Sequence, residues 1–196
     1  MDDSALRAMA RWPNVPSVYG WLSLDRRGRW RIKGELVSHR EFVSCINRSY
    51  DIDPQGCWYF QNGPQRVFVR LEYLPIIVHL EFGNRQAPDF MAHTGHPVDP
   101  LQGVWLDEGG SVVLQLGSTA ALLLDRDLEQ ALHFLEDGAG MPASTGQVEA
   151  FLDGAGSLYF AYRGIRHPLG RIHSSQIPRR FSFNPDPRPA AGDPDC

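Results

Sequence analysis

The sequence has few cysteines and no pattern that would join them. The three present, Cys45, Cys57 and Cys196, are widely separated, odd in number and without a Cys-x-x-Cys pair. A disulfide framework needs paired cysteines, and a zinc ribbon needs closely spaced ones. We therefore expect neither, and reduced thiols in the cytoplasm are the simplest interpretation.

The chain also lacks a long hydrophobic run and an export signal. Its most apolar windows, Leu74–Leu80 and Val112–Leu124, are interrupted by proline, histidine, glutamine or glycine. Both fall short of the roughly 18 residues that a membrane-spanning helix requires. The N-terminus, Met1–Ser4, is acidic where a secretory signal would be basic. We expect a soluble, cytoplasmic protein that does not associate with a membrane.

Motifs for nucleotides and for serine nucleophiles are missing as well. The sequence contains no Gly-x-Gly-x-x-Gly, no phosphate-binding Gly-Lys-Ser/Thr loop and no Gly-x-Ser-x-Gly elbow. A formal net charge of −4 argues against broad binding to nucleic-acid phosphates. We expect no cofactor and no nucleic-acid partner. Recognition of nucleic acid through the basic cluster Arg26–Arg31 is an alternative, although a charged, solvated hairpin face is the better explanation of that cluster.

What the sequence does contain is a series of strand and turn signals. Apolar residues flank a Gly-containing turn in Trp21–Ile32, and an Asn-Gly turn interrupts Trp58–Glu72, so that both segments predict hairpins. A further strand follows at Ile76–Phe82. The pattern restarts with a hairpin at Val104–Leu116 and a strand at Ser157–Tyr162.

Two segments have helical spacing. The first, Ser38–Tyr50, begins with a capping box in which Ser38 and Glu41 would satisfy free backbone N–H groups. The second begins at Asp127 as N-cap and stops at Gly138. The sequence therefore predicts an α+β fold that is rich in β structure, with antiparallel sheets and two packed helices.

The predicted organisation has five parts. They are an N-terminal arm (residues 1–17), a first α+β half (18–84), a connecting segment with one short strand near Phe90-Met91-Ala92 (85–103), a second α+β half (104–176) and a Pro-rich, disordered tail (177–196).

The two halves repeat one order of parts. A Gly-x-x-Tyr-Phe string occurs at Gly56–Phe60 and again at Gly156–Phe160, and Leu24-Asp25 and Leu106-Asp107 occupy matching hairpin positions. Duplication of one half is one interpretation. The other is that α+β proteins commonly reuse hairpins and helices.

Part of the first half resembles a known family. The runs Tyr19-Gly20-Trp21-Leu22, Gly28-Arg29-Trp30 and Trp58–Val67 are similar to uncharacterised proteobacterial proteins classed as a domain of unknown function. The resemblance covers Val18–Glu72. It implies no catalytic residues, because none is assigned in that family.

Histidines form the nearest approach to a metal site. His93 and His96 with Asp99 offer imidazole and carboxylate ligands that suit zinc or another transition metal. Because the segment is a Gly/Pro-rich loop without the His-Glu-x-x-His pattern, ordinary loop histidines are the alternative. Trp58 and Phe60 are candidates for ligand binding, and the alternative for them is a place in the core.

These signals favour a non-enzymatic cytoplasmic module that binds a small-molecule ligand or a protein partner through a face of its sheet. The alternative is a metal-assisted, hydrolase-like enzyme that uses His93 and His96. No catalytic residue can be named, and the identity of the ligand or partner, the oligomeric state and any catalysis stay open.

Elemental analysis of the purified protein tests the metal alternative. If His93, His96 and Asp99 bind a metal, the protein carries it near-stoichiometrically and His96→Ala loses it. A metal-free protein would leave the binding module as the better hypothesis.

Overall fold

A computed structural model describes residues 15, 17–82, 88–98 and 100–189. The protein is β-rich and α+β, as predicted. None of the helices in the described residues is long and apolar enough to cross a membrane. Nearly all of the predicted N-terminal arm, residues 1–17, lies outside the described residues.

The described chain divides into two compact units. The first contains the residues up to Pro75, together with His93–Gly95 and those from Ser182 onward. The second contains Ile76–Ala92 and His96–Phe181. The sequence predicts a first half that extends to residue 84, whereas the strand after Pro75 pairs within the second unit.

The first unit is a six-stranded sheet with one helix. Its elements in chain order are β1 (Val18–Leu24), β2 (Trp30–Ile32), β3 (Glu35–Leu36), α1 (Arg40–Arg48), β4 (Tyr50–Ile52), β5 (Trp58–Asn62) and β6 (Gln65–Leu71). The strand order is β3-β2-β1-β6-β5-β4. Both predicted hairpins are confirmed, β1 with β2 and β5 with β6.

The sheet is mixed where the sequence predicts antiparallel pairing throughout. β1 and β6 lie side by side and run parallel, with Leu22 opposite Val69 and Leu24 opposite Leu71. A parallel pair needs a long crossover connection. Here the connection contains α1 and four strands, so that no local turn signal in the sequence indicates the pairing.

Helix α1 is shorter than the predicted Ser38–Tyr50. His39 is the N-cap, and its ring Nδ1 accepts a hydrogen bond of 3.3 Å from the N–H of Phe42. The predicted capping box at Ser38 is therefore wrong by one position, because an imidazole nitrogen provides the acceptor. Tyr50 leaves the helix because it pairs with Phe60 in the sheet.

The second unit is an eight-stranded sheet with three helices among its described residues. Its elements are β7 (Ile76–Glu81), β8 (Asp89–Ala92), β9 (Leu101–Leu106), β10 (Val112–Leu116), β11 (Thr119–Leu123), α2 (Leu128–Leu132), β12 (Leu135–Glu136), α3 (Thr145–Leu152), β13 (Tyr159–Tyr162), β14 (Ile165–Arg171) and α4 (Ile177–Arg180). The strand order is β12-β13-β14-β9-β10-β11-β7-β8. Two neighbouring pairs are parallel, β9 with β14 and β7 with β11.

Helix α2 begins directly after Asp127, the predicted N-cap, but without the predicted cap hydrogen bond. The side chain of Asp127 makes no cap hydrogen bond to the helix. Its Oδ2 instead accepts a 2.9 Å hydrogen bond from the backbone N–H of Leu80 on β7. The helix ends at Leu132, and Leu135, which falls within the predicted helix, lies in β12.

The two units share one topology. The order β4-β5-β6-β1-β2-β3 of the first is repeated as β12-β13-β14-β9-β10-β11 in the second, and the central pair is parallel in both. Strands β7 and β8 extend the second sheet beyond the shared part. The repeated order favours the interpretation that the halves are a duplication.

The hairpin turns of the two units agree in atomic detail. In the first unit Oδ1 of Asp25 accepts hydrogen bonds from the N–H groups of Arg27 and Arg29, at 2.9 and 3.0 Å. In the second, Oδ1 of Asp107 accepts from residues 109 and 111, at 2.9 and 2.7 Å. Both aspartates are buried. Their burial is tolerated because each carboxylate accepts hydrogen bonds from the backbone N–H groups of its own turn.

The predicted tail is ordered over its described part. Residues 177–189 contain α4 and the buried side chains of Ile177, Phe181 and Phe183. The N–H of Leu71 donates to the carbonyl of Pro185 at 2.8 Å. The prediction of disorder was based on proline content, but burial of the apolar side chains of Ile177, Phe181 and Phe183 stabilises an ordered structure. Residues 190–196 lie outside the described part.

On one face of the second sheet, the ring of Trp105 lies flat on two glycines. A Cβ added at Gly170 would be 2.3 Å from Cδ1 of Trp105, and one added at Gly103 would be 2.4 Å from Cη2. The guanidinium of Arg180, on α4, lies 4.8 Å from the ring centroid on β9. The glycines thus allow the contact that holds α4 on the sheet.

Gly170→Ala should destabilise the protein, because a methyl group there overlaps the Trp105 ring. We expect the free energy of unfolding to fall by about 1–3 kcal/mol, measured by urea denaturation. Gly138→Ala is the control, since nothing lies within 4 Å of a Cβ at that position. Equal stability of the two variants would contradict the packing argument.

Acid should weaken the first hairpin through Asp25. Burial by itself raises the pKa of this carboxyl. The backbone N–H donors of Arg29 and Arg27 and the Arg29 guanidinium lower it by more, so that the pKa lies below its ordinary value. Because the pKa is lower in the folded than in the unfolded protein, the ionised carboxylate stabilises the fold at pH values above the unfolded pKa of about 3.9. This stabilisation is lost as the pH falls through the folded pKa. Urea denaturation from pH 6 downward should show this loss, and Asp25→Asn should reduce it while Asp51→Asn at an exposed site leaves it unchanged.

Candidate functional site

A pocket of about 480 Å³ lies in the second unit, between the sheet and helices α2 and α3. Its volume falls within the range of about 300–1,000 Å³ that is typical of small-molecule sites. Its floor consists of five apolar residues from four neighbouring strands. They are Val104, Leu106, Val112, Phe160 and Leu169.

Pairing of distant strands brings the floor residues together. Val104 and Leu106 are two apart on β9, so their side chains share one face of the sheet. Leu169 on β14 lies opposite Val104 in the parallel pair, and Val112 on β10 lies opposite Leu106 in the antiparallel pair. All four are buried.

Two helices form the walls. Leu128, Ala131 and Leu132 are at positions i, i+3 and i+4 of α2, and Val148 and Leu152 are one turn apart on α3. This spacing places each set on one helical face. Leu132 and Leu152 also remain about half exposed, with 52% and 46% of their surface accessible. Apolar side chains therefore continue from the pocket to the protein surface.

Helix α3 is held in place by caps at both ends. At its start Ser144 and Gln147 form a capping box. At its end Arg171 of β14 donates to the backbone carbonyls of Phe151 and Ala155, and its guanidinium lies 3.8 Å from the centroid of the Phe151 ring. These contacts fix the α3 wall against the strand that supplies Leu169.

Chemically, the lining is almost entirely hydrocarbon. Glu129 at the start of α2 is its one ionisable side chain and is exposed, and Gly110 contributes backbone from the hairpin turn. A reaction would require a nucleophile, a general base or a metal ligand directed at the bound molecule. The residues that line this pocket include no such set, so that the arrangement is suited to binding.

Trp58 and Phe60, the predicted ligand-binding residues, lie in the core of the first unit. The ring of Trp58 is 4.7 Å from that of Tyr50, and the ring of Phe60 is 6.1 Å from that of Phe42, centroid to centroid. Both are buried. This is the placement that the core alternative requires, and a role in ligand binding stays a prediction.

The predicted metal ligands have different surroundings. The ring of His93 lies 5.5 Å from that of Trp30, and its carbonyl accepts a 3.1 Å hydrogen bond from Asn47. His96 is exposed, and Asp99 lies outside the described residues. Within the described part of the chain no three His, Cys, Asp or Glu residues group as metal ligands. The His93, His96 and Asp99 site therefore stays a prediction.

The arginines of the first hairpin contact neighbours in their own unit. Nε of Arg29 and Nε of Arg31 donate to Oδ2 of Asp25, at 2.8 and 3.3 Å. The guanidinium of Arg26 lies 4.1 Å from the centroid of the Tyr73 ring. These contacts give the cluster a structural role that is independent of any nucleic acid.

The sequence did not reveal the pocket, although it predicted several of its elements. Apolar positions at Val104, Leu106 and along α2 are ordinary core signals when taken one at a time. The missing information was the parallel pairing of β9 with β14, which places residues 65 positions apart side by side, as with Val104 and Leu169.

A solved structure shares this fold. A DUF1285 family protein from Silicibacter pomeroyi DSS-3 matches with a TM-score of 0.54 and 14% identity, over 87% of this chain and 96% of the other. A second DUF1285 family protein, from Shewanella baltica OS155, matches with a TM-score of 0.40 and 13% identity, over 56% of this chain and 88% of the other. At this identity the first likeness concerns the fold alone.

A search of curated proteins gave no match. The model of one family, DUF2944, matches residues 1–188, almost the whole chain. Its description is a protein of unknown function (DUF2946). The family resemblance that the sequence suggests is thus confirmed and extends beyond the first half: the chain belongs to the DUF2944 family, whose function is unknown.

Proposed function

We propose that the protein is a cytoplasmic binding module that takes a small apolar ligand into the pocket of its second unit. The observation that carries the proposal is the pocket itself, about 480 Å³ of space with a hydrocarbon lining between the sheet and helices α2 and α3. No catalytic role is part of the proposal.

The energetics favour such a ligand. Each Å² of apolar surface that is removed from water contributes about 25 cal/mol of favourable free energy to binding. Because α3 is held at both ends, by Ser144 and by Arg171, its wall requires little reordering when a ligand enters. Apolar cavities are poorly hydrated and accept hydrocarbons readily.

A bulky residue on the inner face of α3 should block the site. Val148 lines the pocket, and Ala150 lies two residues away on the exposed side of the same helix. We expect Val148→Phe to weaken binding of the neutral fluorescent probe N-phenyl-1-naphthylamine by about tenfold or more. Ala150→Phe adds more bulk outside the pocket and should bind like the unaltered protein.

Fluorescence titration of the purified protein and the two variants is the measurement, with circular dichroism to verify that each variant folds. Lack of saturable probe binding to the unaltered protein would refute the proposal. Undiminished binding by folded Val148→Phe would place the site elsewhere.

A further inference from the structure

The shared topology assigns counterparts in the first unit to several residues around the pocket. In the first hairpin Trp30 lies opposite Leu24, the residue before the turn aspartate. In the equivalent hairpin Val112 lies opposite Leu106, which precedes Asp107. Val112 therefore occupies the position that Trp30 holds in the first unit.

Two more positions differ in the same direction. Tyr50 pairs with Phe60 in the first sheet, and Leu135 pairs with Phe160 in the second, so that Leu135 corresponds to Tyr50. Four residues earlier in each chain segment the helix presents Ile46 in the first unit and Ala131 in the second. At all three positions the second unit has the smaller side chain.

In the first unit these larger side chains fill the space between helix and sheet. Trp30 and Ile46 are 1% and 0% exposed. The rings of Trp30 and Tyr50 meet edge to face, with centroids 5.0 Å apart and planes at 78°. In the second unit the counterparts, Val112, Ala131 and Leu135, all line the pocket. The pocket thus corresponds to a place that two aromatic rings and an isoleucine occupy in the other unit.

We infer that the ligand is a neutral compound with a fused or linked aromatic ring system, which takes the place that Trp30 and Tyr50 occupy in the first unit. This inference rests on the proposed function. It adds the ligand class and identifies Val112, Ala131 and Leu135 as the residues that determine specificity, since the small size of each leaves room for a ring.

The polar surroundings indicate which ring compounds fit. The indole N–H of Trp30 donates to Oδ1 of Asn47 at 2.7 Å. Asn47 is three residues before Tyr50, and the residue three before Leu135 is Leu132, which offers no acceptor. A ring without N–H or O–H groups therefore leaves no hydrogen-bond donor unsatisfied when it is buried in the pocket. Glu129 in the lining disfavours anionic ligands such as fatty carboxylates by repulsion of like charge.

Two neutral probes distinguish a ring from a chain. Displacement of N-phenyl-1-naphthylamine by 1-methylnaphthalene and by 1-decanol is measured on the full-length protein. We expect the naphthalene to bind tighter by about tenfold or more. Binding of decanol as tightly as or more tightly than naphthalene would overturn the inference and leave the proposed function standing. Failure of all three probes to bind would overturn both.

Substitution from the first unit tests the residues. Ala131→Ile introduces the side chain that the counterpart Ile46 has in the first unit. It should weaken binding of 1-methylnaphthalene by about tenfold or more. Ala150→Ile is the same change on the exposed side of a helix and should have no effect. Val112→Trp is the second filling variant and should abolish ring binding if it folds. Undiminished binding by folded Ala131→Ile would overturn the inference.

Discussion

The pairing on which each unit depends is the parallel contact between its first and last shared strands, β1 with β6 and β9 with β14. A hairpin can form from local signals, but these two pairs join segments separated by one helix in the first unit, two helices in the second, and several strands in each. Once they form, the two hairpins on either side become one sheet. Leu22 and Val69 in the first unit, and Val104 and Leu169 in the second, then face the helix side by side.

The same framework carries two different interiors. In the first unit Trp30, Ile46 and Tyr50 complete the core, and in the second unit Val112, Ala131 and Leu135 leave it open. The second unit also has a helix where the first has a direct connection. The turn at Asp53 ends at Cys57, next to β5, whereas α3 lies between the turn at Asp137 and β13. Divergence after duplication offers a simple route from a packed core to an open pocket, because the other copy keeps its packed core.

Local features of the fold could be predicted from the sequence, and features that depend on distant residues could not. The Asn-Gly turn before Gln65 and the hairpin at Asp25 follow from turn chemistry, which acts within a few residues. The cap of α1 was misplaced because His39 gave no usual N-cap signal. The order of residues 177–189 depends on burial of Ile177 and Phe183, which composition does not reveal. Val112 lines a pocket together with Leu135 and Leu169, which the fold brings close from other parts of the chain, and no window around Val112 contains that information.

The first unit contains residues from both ends of the described chain. Phe183 is buried in it, and the carbonyl of Pro185 pairs with the N–H of Leu71, more than a hundred residues earlier. A ribosome makes Leu71 long before Pro185. The first unit therefore cannot acquire its complete set of contacts during synthesis until the second unit has emerged, and its final consolidation follows translation of Pro185.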